Sequence, residues 1–516
     1  MESLGTVARE KIVSFIKKKH NIYIYGAGKY GGLCLNILHE SGAVVLGFIE
    51  TEPNKKIKNN IPVYSVRDIC DDPDGERGII VAAKNEYGKE MVQHIPVGVP
   101  YLCLSDEEWY ALSHEGILAE LEQLSGEFPN EPEVTPQKWQ NILVVRLDAI
   151  GDMIWTTAFL RELKSYCSNA NITLIIRPEL YTLMKNCPYI DHIGCFDCAV
   201  PSVRDDYDNL RRDAAEYINQ HLKGKEYDAV FLPRVFSEKN LLENLYLAIY
   251  SGAKQRIGIF DNKTPSPIVN ALKKLFSVAV NNGCAQHEVD RILGLLSTCN
   301  IPVRDKKLEL WPGAMSVSRI AKMLESTVFL NGEKKLLISV GLVSRDGNRT
   351  WPAERFAQLF EKIVKTHQNV IFILCGGNDA SGAALKVEMN NRCINFVGKT
   401  SLDETTALLG MCDFYLGVNT GLLHIAVAMG KPVVEISGQW PGGNDDSGLS
   451  PVRVGAFGVE SIVVQPKQAM DEHCAKAGYC KRNEPHCICQ VSVEDVENAV
   501  SNMIHRLEKR DKKSVE

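Results

Sequence analysis

The segment NILVVRLDAIGDMIWTTAFLREL, residues 141–163, decides the fold of this protein. It begins with an apolar run typical of a buried strand and ends in a sequence typical of a helix. Between them lies a tight turn at Ile150, Gly151 and Asp152. A buried strand that leads through a short turn into a helix predicts a parallel sheet with crossover helices.

The same order recurs downstream. Strand-like runs at 172–177 and 227–233 alternate with helical runs, which predicts one α/β lobe over residues 141–310. A second strand, loop and helix begins with KKLLISVGLVSRDGNRTWP at 334–352, and a second lobe is predicted over 311–505. Two successive nucleotide-binding halves predict a two-lobed enzyme with its ligand cleft between the lobes.

A third unit precedes these two. Residues 21–50 predict a strand, a Gly-rich turn, a helix and a second strand, so residues 1–110 are predicted to form a Rossmann-like domain. Proline and acidic residues without periodicity predict a linker over 111–140, and a charged tail is predicted over 506–516. The 516 residues suit about three domains of ~100–200 residues each.

Composition excludes several classes of protein. The chain is 45% hydrophobic and 24% charged with a formal charge of −6, so it offers no basic field for a nucleic acid partner. No apolar run approaches the ~20 residues that span a bilayer, and the N-terminus mixes charge into every turn, unlike a signal peptide. We therefore expect a cytoplasmic protein.

The N-terminal unit carries a Gly-x-Gly-x-x-Gly turn at Gly26, Gly28 and Gly31, with Glu50 at the end of the next strand. Backbone amides of such a turn hold a phosphate, and an acidic residue at the position of Glu50 binds a ribose. Gly-rich turns also occur in domains that bind no nucleotide. A nucleotide site and a purely structural turn are both open.

Candidate catalytic residues follow the first strand of the first lobe. Asp148 and Asp152 stand at its carboxyl end, the edge where α/β folds bind ligands, and a carboxylate there can act as a general base toward a sugar hydroxyl. Asp152 also stands where a helix begins, so a helix-capping role is the alternative.

Two loops of the second lobe suit a diphosphate. The first contains Ser344, Arg345 and Arg349 before a helix, and arginine forks near a helix N-terminus supply charge and paired hydrogen-bond donors. The second runs through Asn419-Thr420-Gly421 into a helix that carries His424. Solvated surface arginines and a packed core histidine are the alternatives.

Residues 141–505 resemble glycosyltransferase family 9, the ADP-heptose:lipopolysaccharide heptosyltransferases and their relatives. The resemblance is carried, in order, by ILVVRLDAIGDMIWTTAFLREL, YDAVFLP, AKQRIGI, HEVDRILGLL, NRTWPAERFAQL and NTGLLHIAVAMGKPVVEISG. It implies a GT-B fold, in which the first lobe binds the acceptor and the second binds the nucleotide sugar. The N-terminal unit lies outside the usual family architecture.

The resemblance also implies roles for individual residues. Transfer is expected to be inverting and independent of metal, with Asp152 deprotonating the acceptor hydroxyl and Arg349, in place of a more familiar Lys, stabilising the diphosphate leaving group. Donor binding is expected at Ser344, Arg345, Asn419, Thr420, Gly421, Leu422 and His424. Asn419 stands where the family has Asp, which removes a charge and leaves only hydrogen bonding.

The expected donor is ADP-heptose, and the expected acceptor is lipopolysaccharide or another surface glycan, glycolipid or protein, reached at the cytoplasmic face of the inner membrane. One alternative is transfer of a different sugar to capsule, O-antigen or protein. An alternative of another class is a non-catalytic nucleotide-binding scaffold, which the replacement of Asp by Asn419 would suit.

Four of the 16 cysteines crowd one segment, 473–490. Cys474, Cys480, Cys487 and Cys489 are enough for a tetrahedral structural zinc or iron site, with His473 and His486 as spare ligands. The segment resembles a cysteine cluster found at the same place in some relatives. Reduced structural thiols or a disulfide are the alternatives.

Overall fold

The computed structural model describes residues 4–51, 53, 57–58, 61–69, 76–83, 85–113, 115–128, 134–197, 207–236, 242–260, 267–281, 287–330, 333–387 and 392–515. These residues form three parallel α/β sheets, as the sequence predicts, in two compact units. The first unit comprises residues 1–127 together with 265–275, and the second comprises 128–264 and 276–516. Among the described residues, no helix is both long and apolar enough to cross a bilayer.

The first unit contains a six-stranded sheet with strand order β3-β4-β2-β1-β5-β6. Its strands are β1 (Asn21–Tyr25), β2 (Val44–Glu50), β3 (Ile57–Lys58), β4 (Ile61–Ser65), β5 (Arg77–Val81) and β6 (Tyr101–Cys103). Its helices are α1 (Leu4–Lys18), α2 (Lys29–Glu40), α3 (Asn85–Gln93), α4 (Asp106–Ser113) and α5 (Glu115–Glu127), to which the helix at Pro267–Lys274 is added from far along the chain. Helices thus occupy much of the predicted linker, and the first lobe gives up one helix to this unit.

The first lobe of the second unit is built on a sheet with order β12-β11-β10-β7-β8-β9. Its strands are β7 (Asn141–Arg146), β8 (Asn171–Ile176), β9 (His192–Cys195), β10 (Ala229–Phe236), β11 (Gln255–Phe260) and β12 (Val278–Asn281). The helices of this stretch are α6 (Ile150–Tyr166), α7 (Tyr181–Met184), α8 (Tyr207–His221), α9 (Leu242–Tyr250), α10 (Pro267–Lys274) and α11 (Glu288–Thr298). Strand β7 is almost wholly buried, which explains its continuous apolar sequence.

The second lobe repeats this design with order β17-β16-β15-β18-β19-β20. A short hairpin, β13 (Phe329–Leu330) and β14 (Glu333–Lys334), precedes the sheet strands β15 (Leu336–Gly341), β16 (Val370–Cys375), β17 (Cys393–Asn395), β18 (Phe414–Val418), β19 (Val433–Ile436) and β20 (Ser461–Val464). The helices are α12 (Ala314–Val328), α13 (Ala353–Thr366), α14 (Ser381–Val387), α15 (Leu402–Met411), α16 (Gly421–Ala428), α17 (Pro451–Val454), α18 (Glu472–Ala477) and α19 (Val493–Val515). Helix α19 runs through most of the predicted charged tail.

Both lobes of the second unit reverse their strand order at the same point. In the first lobe, β8 and β9 are added on one side of β7, and β10, β11 and β12 are added on its other side. In the second lobe, β16 and β17 are added on one side of β15, and β18, β19 and β20 are added on its other side. Loops that follow strands at such a switch point diverge and leave a crevice at the carboxyl edge of the sheet. One apolar core continues across both lobes, from Trp155 and Phe159 of α6 to Leu423 and Ile425 of α16. The two crevices therefore face a shared interior.

Candidate active site

A cavity of about 630 Å³ opens within the second unit where the loops after β7, β15 and β18 meet beside Arg234 of β10. Its wall also includes the start of α11 and the segment that leads into α17. The residues that line it are mostly polar and include five arginines: Arg146, Asp148, Ala149, Ile150, Gly151, Asp152, Trp155, Arg234, Glu288, Ser344, Arg345, Asp346, Arg349, Asn419, Thr420, Gly421, His424, Gly448, Arg453 and Val454. A polar cavity with several arginines suits an anionic ligand.

Asp152 lies in the first turn of α6 and faces this cavity. Ala149 is the N-cap of α6, so Asp152 is not the capping residue that the sequence offered as an alternative; as the third residue of the helix, its Oδ2 accepts a hydrogen bond from the Ala149 backbone N–H at 3.2 Å. Its Oδ1 accepts from Arg146 Nη2 at 3.2 Å, and the side chain is 33% exposed. Burial raises the pKa of Asp152 to about 6, against the lowering effect of Arg146. The group can therefore both hydrogen-bond to the N-cap residue and exchange a proton near neutral pH.

Asp148 is held differently, although it ends the same strand. Its two oxygens lie 3.3 Å from Arg146 Nε and 3.0 Å from Arg234 Nη1, so both are engaged by guanidinium groups. The Asp148 side chain is also 17% exposed, against 33% for Asp152, so it is less accessible to an acceptor hydroxyl. Of the two candidate bases, the geometry therefore favours Asp152.

Arg146 and Arg234 were not identified from the sequence. Arg146 is 3% exposed and ends a buried strand, where a charge is unfavourable unless it is paired. A lone arginine at the end of such an apolar run was the available signal. Arg453 and Glu288 were also missed, and they form an ion pair that joins the two lobes beside the cavity.

The loop after β15 brings Ser344, Arg345 and Arg349 to the wall opposite Asp152, as the sequence predicts for a diphosphate site. Arg349 Nη2 donates to the Gly448 carbonyl at 2.8 Å, and its Nε lies 3.3 Å from Asp346 Oδ2. Burial lowers the pKa of Arg349, and the nearby carboxylates of Asp346, Glu435 and Asp152 act against this. The guanidinium is therefore fixed in place beside the cavity.

The amino end of α16 forms the next part of this wall. Thr420 caps the helix, because its Oγ1 accepts from the Leu422 backbone N–H at 3.2 Å. Asn419 and Gly421 line the cavity, whereas the Leu422 side chain packs against the apolar core and is not part of the lining. The positive end of the helix dipole and its free amides are thus directed at the cavity.

His424 is packed between the lobes. It is 3% exposed, its ring lies 4.9 Å from that of Trp155 in an edge-to-face arrangement, and it leaves no space for a side chain at Gly151. Burial lowers the pKa of His424 to about 3, with further lowering by His287 and Arg349. A neutral imidazole cannot supply positive charge to a diphosphate, so the contribution of His424 that the structure shows is packing against Trp155 and Gly151.

Asn419 makes two hydrogen bonds behind the wall. Its Nδ2 donates to Glu435 Oε1 at 3.0 Å and to the Val454 carbonyl at 2.9 Å. Glu435, on β19, has no exposed surface. Burial raises its pKa to about 7. The family's carboxylate at position 419 is absent, yet this chain holds a carboxylate immediately behind that position.

The cysteine-rich segment gathers four candidate metal ligands among the described residues. The ligand atoms of Cys474, Cys480, His486 and Cys487 all lie within 4.8 Å of one another, and His486 Nδ1 is 3.4–3.8 Å from the three sulfurs. Cys489 and His473 are outside this group. The sequence grouped four cysteines with His473 and His486 as spare ligands, and the structure places His486, three residues before Cys489, in the cluster instead of Cys489.

The surroundings of this cluster also suit a metal. The three thiols are at most 2% exposed, and His486 Nε2 lies 3.5 Å from Asp471 Oδ2. A carboxylate that orients the second nitrogen of a histidine is a common arrangement around zinc. Three thiolates and one imidazole match the ligand set of tetrahedral structural zinc.

In the first unit the predicted glycine turn lies between β1 and α2. Gly26 has φ +106°, and a Cβ on Gly31 would lie 2.0 Å from the Gly26 carbonyl oxygen, so both positions require glycine for backbone reasons. Gly28 is the exposed N-cap residue before α2, and Glu50 ends β2 half-buried. The backbone thus accounts for Gly26 and Gly31 but not for Gly28, where a Cβ would meet no other atom within 4 Å, and a nucleotide at this turn stays a prediction.

Comparison with known proteins follows the same region. Residues 217–443 match the model of glycosyltransferase family 9 (heptosyltransferase). Lipooligosaccharide heptosyltransferase 2 of Haemophilus influenzae is 24% identical over 311 residues, which are 58% of this chain and 83% of that protein. Lipopolysaccharide heptosyltransferase 2 of Escherichia coli is 23% identical over 305 residues, 58% of this chain and 82% of that protein.

Two solved structures share the fold. A glycosyltransferase family 9 protein of Veillonella parvula has a TM-score of 0.57 at 19% sequence identity, and the superposition covers 71% of this chain and 98% of that protein's chain. The Escherichia coli ADP-heptose LPS heptosyltransferase II has a TM-score of 0.53 at 16% sequence identity, and the superposition covers 72% of this chain and 100% of that protein's chain.

Proposed function

Because the chain contains a glycosyltransferase family 9 domain, we propose that it transfers heptose from ADP-heptose to a lipopolysaccharide or other surface-glycan acceptor, with inversion and without a catalytic metal. The observation that carries the proposal is the cavity at the two switch points, where Asp152 faces Arg349 and the amino end of α16. The predicted family and the predicted GT-B fold are confirmed by the comparisons, as is the glycosyltransferase class.

Asp152 is the proposed general base. In an inverting transfer the acceptor oxygen forms a bond to the anomeric carbon as the bond from that carbon to the diphosphate breaks, and the acceptor proton passes to a carboxylate. A pKa of about 6 leaves Asp152 mostly ionised at neutral pH while still able to take up that proton. Arg146 and the Ala149 amide hold its two oxygens in place.

The opposite wall is proposed to stabilise the departing diphosphate. Negative charge develops on the leaving group in the transition state, and fixed donors are more effective than mobile ones in stabilising it. Arg349 is anchored by Gly448 and Asp346, and Arg345 and Arg453 also line the cavity. The amides at the start of α16 add donors that need no metal ion.

The heptose donor and the glycan acceptor are supported by relatives whose names specify heptosyltransferases of lipooligosaccharide and lipopolysaccharide. We propose a cytoplasmic site of action, with peripheral contact at the inner membrane where such an acceptor would be met. Transfer of another sugar to capsule, O-antigen or protein is the alternative that a donor screen decides.

We also propose a structural zinc ion at Cys474, Cys480, His486 and Cys487, none of which lines the proposed active-site cavity. The cluster contacts the donor loop through the backbone, since Asn348 Nδ2 donates to the Cys480 carbonyl at 3.2 Å. An ion bound here would keep the segment next to Arg349 in one conformation. Iron is the other metal that this ligand set accepts, and metal analysis of the purified protein distinguishes the two.

The decisive experiment compares the wild type with Asp152→Asn. Mass spectrometry of acceptor extracts incubated with ADP-heptose, and with a panel of other nucleotide sugars, measures transfer, and calorimetry measures ADP binding. We expect transfer to be lost and ADP affinity to change by less than about threefold, since the base does not contact the diphosphate. Full turnover by Asp152→Asn refutes the assignment of the base, and ADP binding without any transfer by the wild type favours the scaffold alternative.

A further inference from the structure

Two hydrogen bonds fix the orientation of the Asn419 side chain. Both groups behind it, the Glu435 carboxylate and the Val454 carbonyl, are acceptors at 3.0 and 2.9 Å from Nδ2. The amide has only two N–H groups, and both are used there. A flipped amide would place its oxygen against the same two acceptors. The favoured orientation therefore leaves the carbonyl Oδ1 on the cavity side.

We propose that Glu435 is a positioning residue that locks the Asn419 amide so that Oδ1 faces the cavity and accepts a hydrogen bond from a hydroxyl group of the donor. The inference rests on the proposed function. An oxygen that can only accept repels phosphate oxygens and suits a hydroxyl, which the ribose and the transferred sugar both carry. Arg349 and the amides of α16 are left to bind the diphosphate.

The burial of Glu435 is what makes it a lock. It has no exposed surface, a Cβ on Gly455 would lie 3.0 Å from Oε2, and besides the Asn419 amide the Ala456 backbone hydrogen-bonds to the carboxylate. Such a carboxylate is unfavourable for stability, so its presence needs a compensating role. Holding Asn419 supplies one.

The lock weakens when Glu435 takes up a proton, since a carboxylic acid can donate to Oδ1, and the Val454 carbonyl is then the acceptor that still opposes the flipped amide. Among the described residues, the charged or titratable groups that act on Glu435 or are influenced by it are Arg349 and Tyr415 of β18. The side chains of α19 that pack with Val434 and Ile436 of β19 are apolar. Donor affinity is therefore expected to fall as pH is lowered through about 7, where Glu435 titrates.

The test is Glu435→Gln, with Glu162→Gln as the matched control. Gln has the same shape but can donate as well as accept, so it no longer imposes one amide orientation. Glu162 is also buried, at 5% exposure, and accepts from the Arg304 backbone N–H in the first lobe, away from the cavity. The probes are ADP and ADP-heptose, measured by calorimetry, with thermal unfolding measured in parallel.

We expect Glu435→Gln to weaken ADP-heptose binding about three- to tenfold, the factor of one net hydrogen bond, and Glu162→Gln to leave it unchanged. Weakening of ADP-heptose alone identifies the sugar hydroxyl, and equal weakening of ADP identifies the ribose. The Tm of Glu435→Gln at pH 8 is expected to equal or exceed that of the wild type. A pKa raised by burial means that stability is lost as pH rises through about 7, and Gln removes that loss.

A pH series separates positioning from packing. It is run with Asp152→Asn in the background, so that Asp152 does not titrate, and we expect pH dependence near 7 with Glu435 present and none with Gln. Unchanged affinity for both probes, a loss shared by Glu162→Gln, or a loss accompanied by a lower Tm overturns the inference while leaving the proposed function intact. If the wild type binds neither probe, the proposed donor is overturned, and this inference with it.

Discussion

Substitution of Gly151 by Ala tests whether the contact between the lobes positions the base. A Cβ at this position would lie 2.6 Å from His424 Cδ2 and 3.1 Å from Nε2, whereas carbon atoms pack at roughly 3.5–4.0 Å. The ring cannot retreat, because Trp155 packs against it at 4.9 Å and it is 3% exposed. The amino end of α6 must therefore move by roughly 1 Å.

This movement carries the neighbouring Asp152 with it. Overpacking of this kind lowers the free energy of unfolding by about 1–3 kcal/mol. A displacement of about 1 Å at the reacting groups reduces the rate about a hundredfold. We expect both effects in Gly151→Ala, measured as Tm and as kcat/KM for transfer from the donor that the screen identifies.

Gly294→Ala is the matched control. Gly294 lies inside α11, and no atom lies within 4 Å of the position that its Cβ would take. Alanine there should stabilise the protein by about 0.5–1 kcal/mol without changing activity. The double substitution Gly151→Ala/His424→Ala removes the opposing imidazole ring. It should lower the free energy of unfolding by less than the sum of the two single substitutions. Wild-type activity and stability of Gly151→Ala would show that the two lobes do not meet as described.

Three further outcomes are expected. At saturating donor the kcat for transfer should rise with pH through about 6 and level off above it, because Asp152 acts only after losing its proton; a profile with no acid limb would contradict its role as base. Arg349→Lys should keep the charge but lose the hydrogen bond to Gly448, so we expect the rate of transfer in single-turnover experiments to fall about a hundredfold with little loss of stability; an unchanged rate would exclude a role in leaving-group stabilisation. Chelation, or Cys474→Ser, should release about one equivalent of metal and lower the Tm, whereas Cys489→Ser should do neither, because Cys489 lies outside the ligand cluster; equal effects of the two substitutions would refute the ligand set.

The sequence predicted the fold of the second unit because its signals are local. The run ILVVR is buried on both faces of β7, and the Gly-Asp turn is followed directly by α6, so period and turn chemistry alone identify the strand and the helix. The family resemblance then placed Asp152 and Arg349 in order along the chain. The structure brings them to one cavity, as expected from strands that end at the same edge of their sheets.

The sequence did not predict contacts between segments that lie far apart along the chain. Nothing in the sequence around position 267 indicates that the helix there belongs with the first unit, because its partner, α5, precedes it by about 140 residues. Helix α5 lies in the stretch that the sequence predicted as a linker, and it was missed because its acidic residues weaken the periodic apolar pattern. The helix is stabilised by burial of Leu121 and Leu124 in the folded unit, which the local sequence does not reveal.

The sequence by itself determined the α/β class and the glycosyltransferase class, and it predicted which residues carry the chemistry. Only the tertiary structure decided how each of them behaves. It lowered the pKa of His424 by burying it, paired Asp148 with two arginines so that Asp152 became the proposed base, and placed His486 instead of Cys489 among the candidate metal ligands. It also placed Glu435 behind Asn419. Charge state and ligand geometry depend on which groups are desolvated together, and desolvation is a property of the packed molecule.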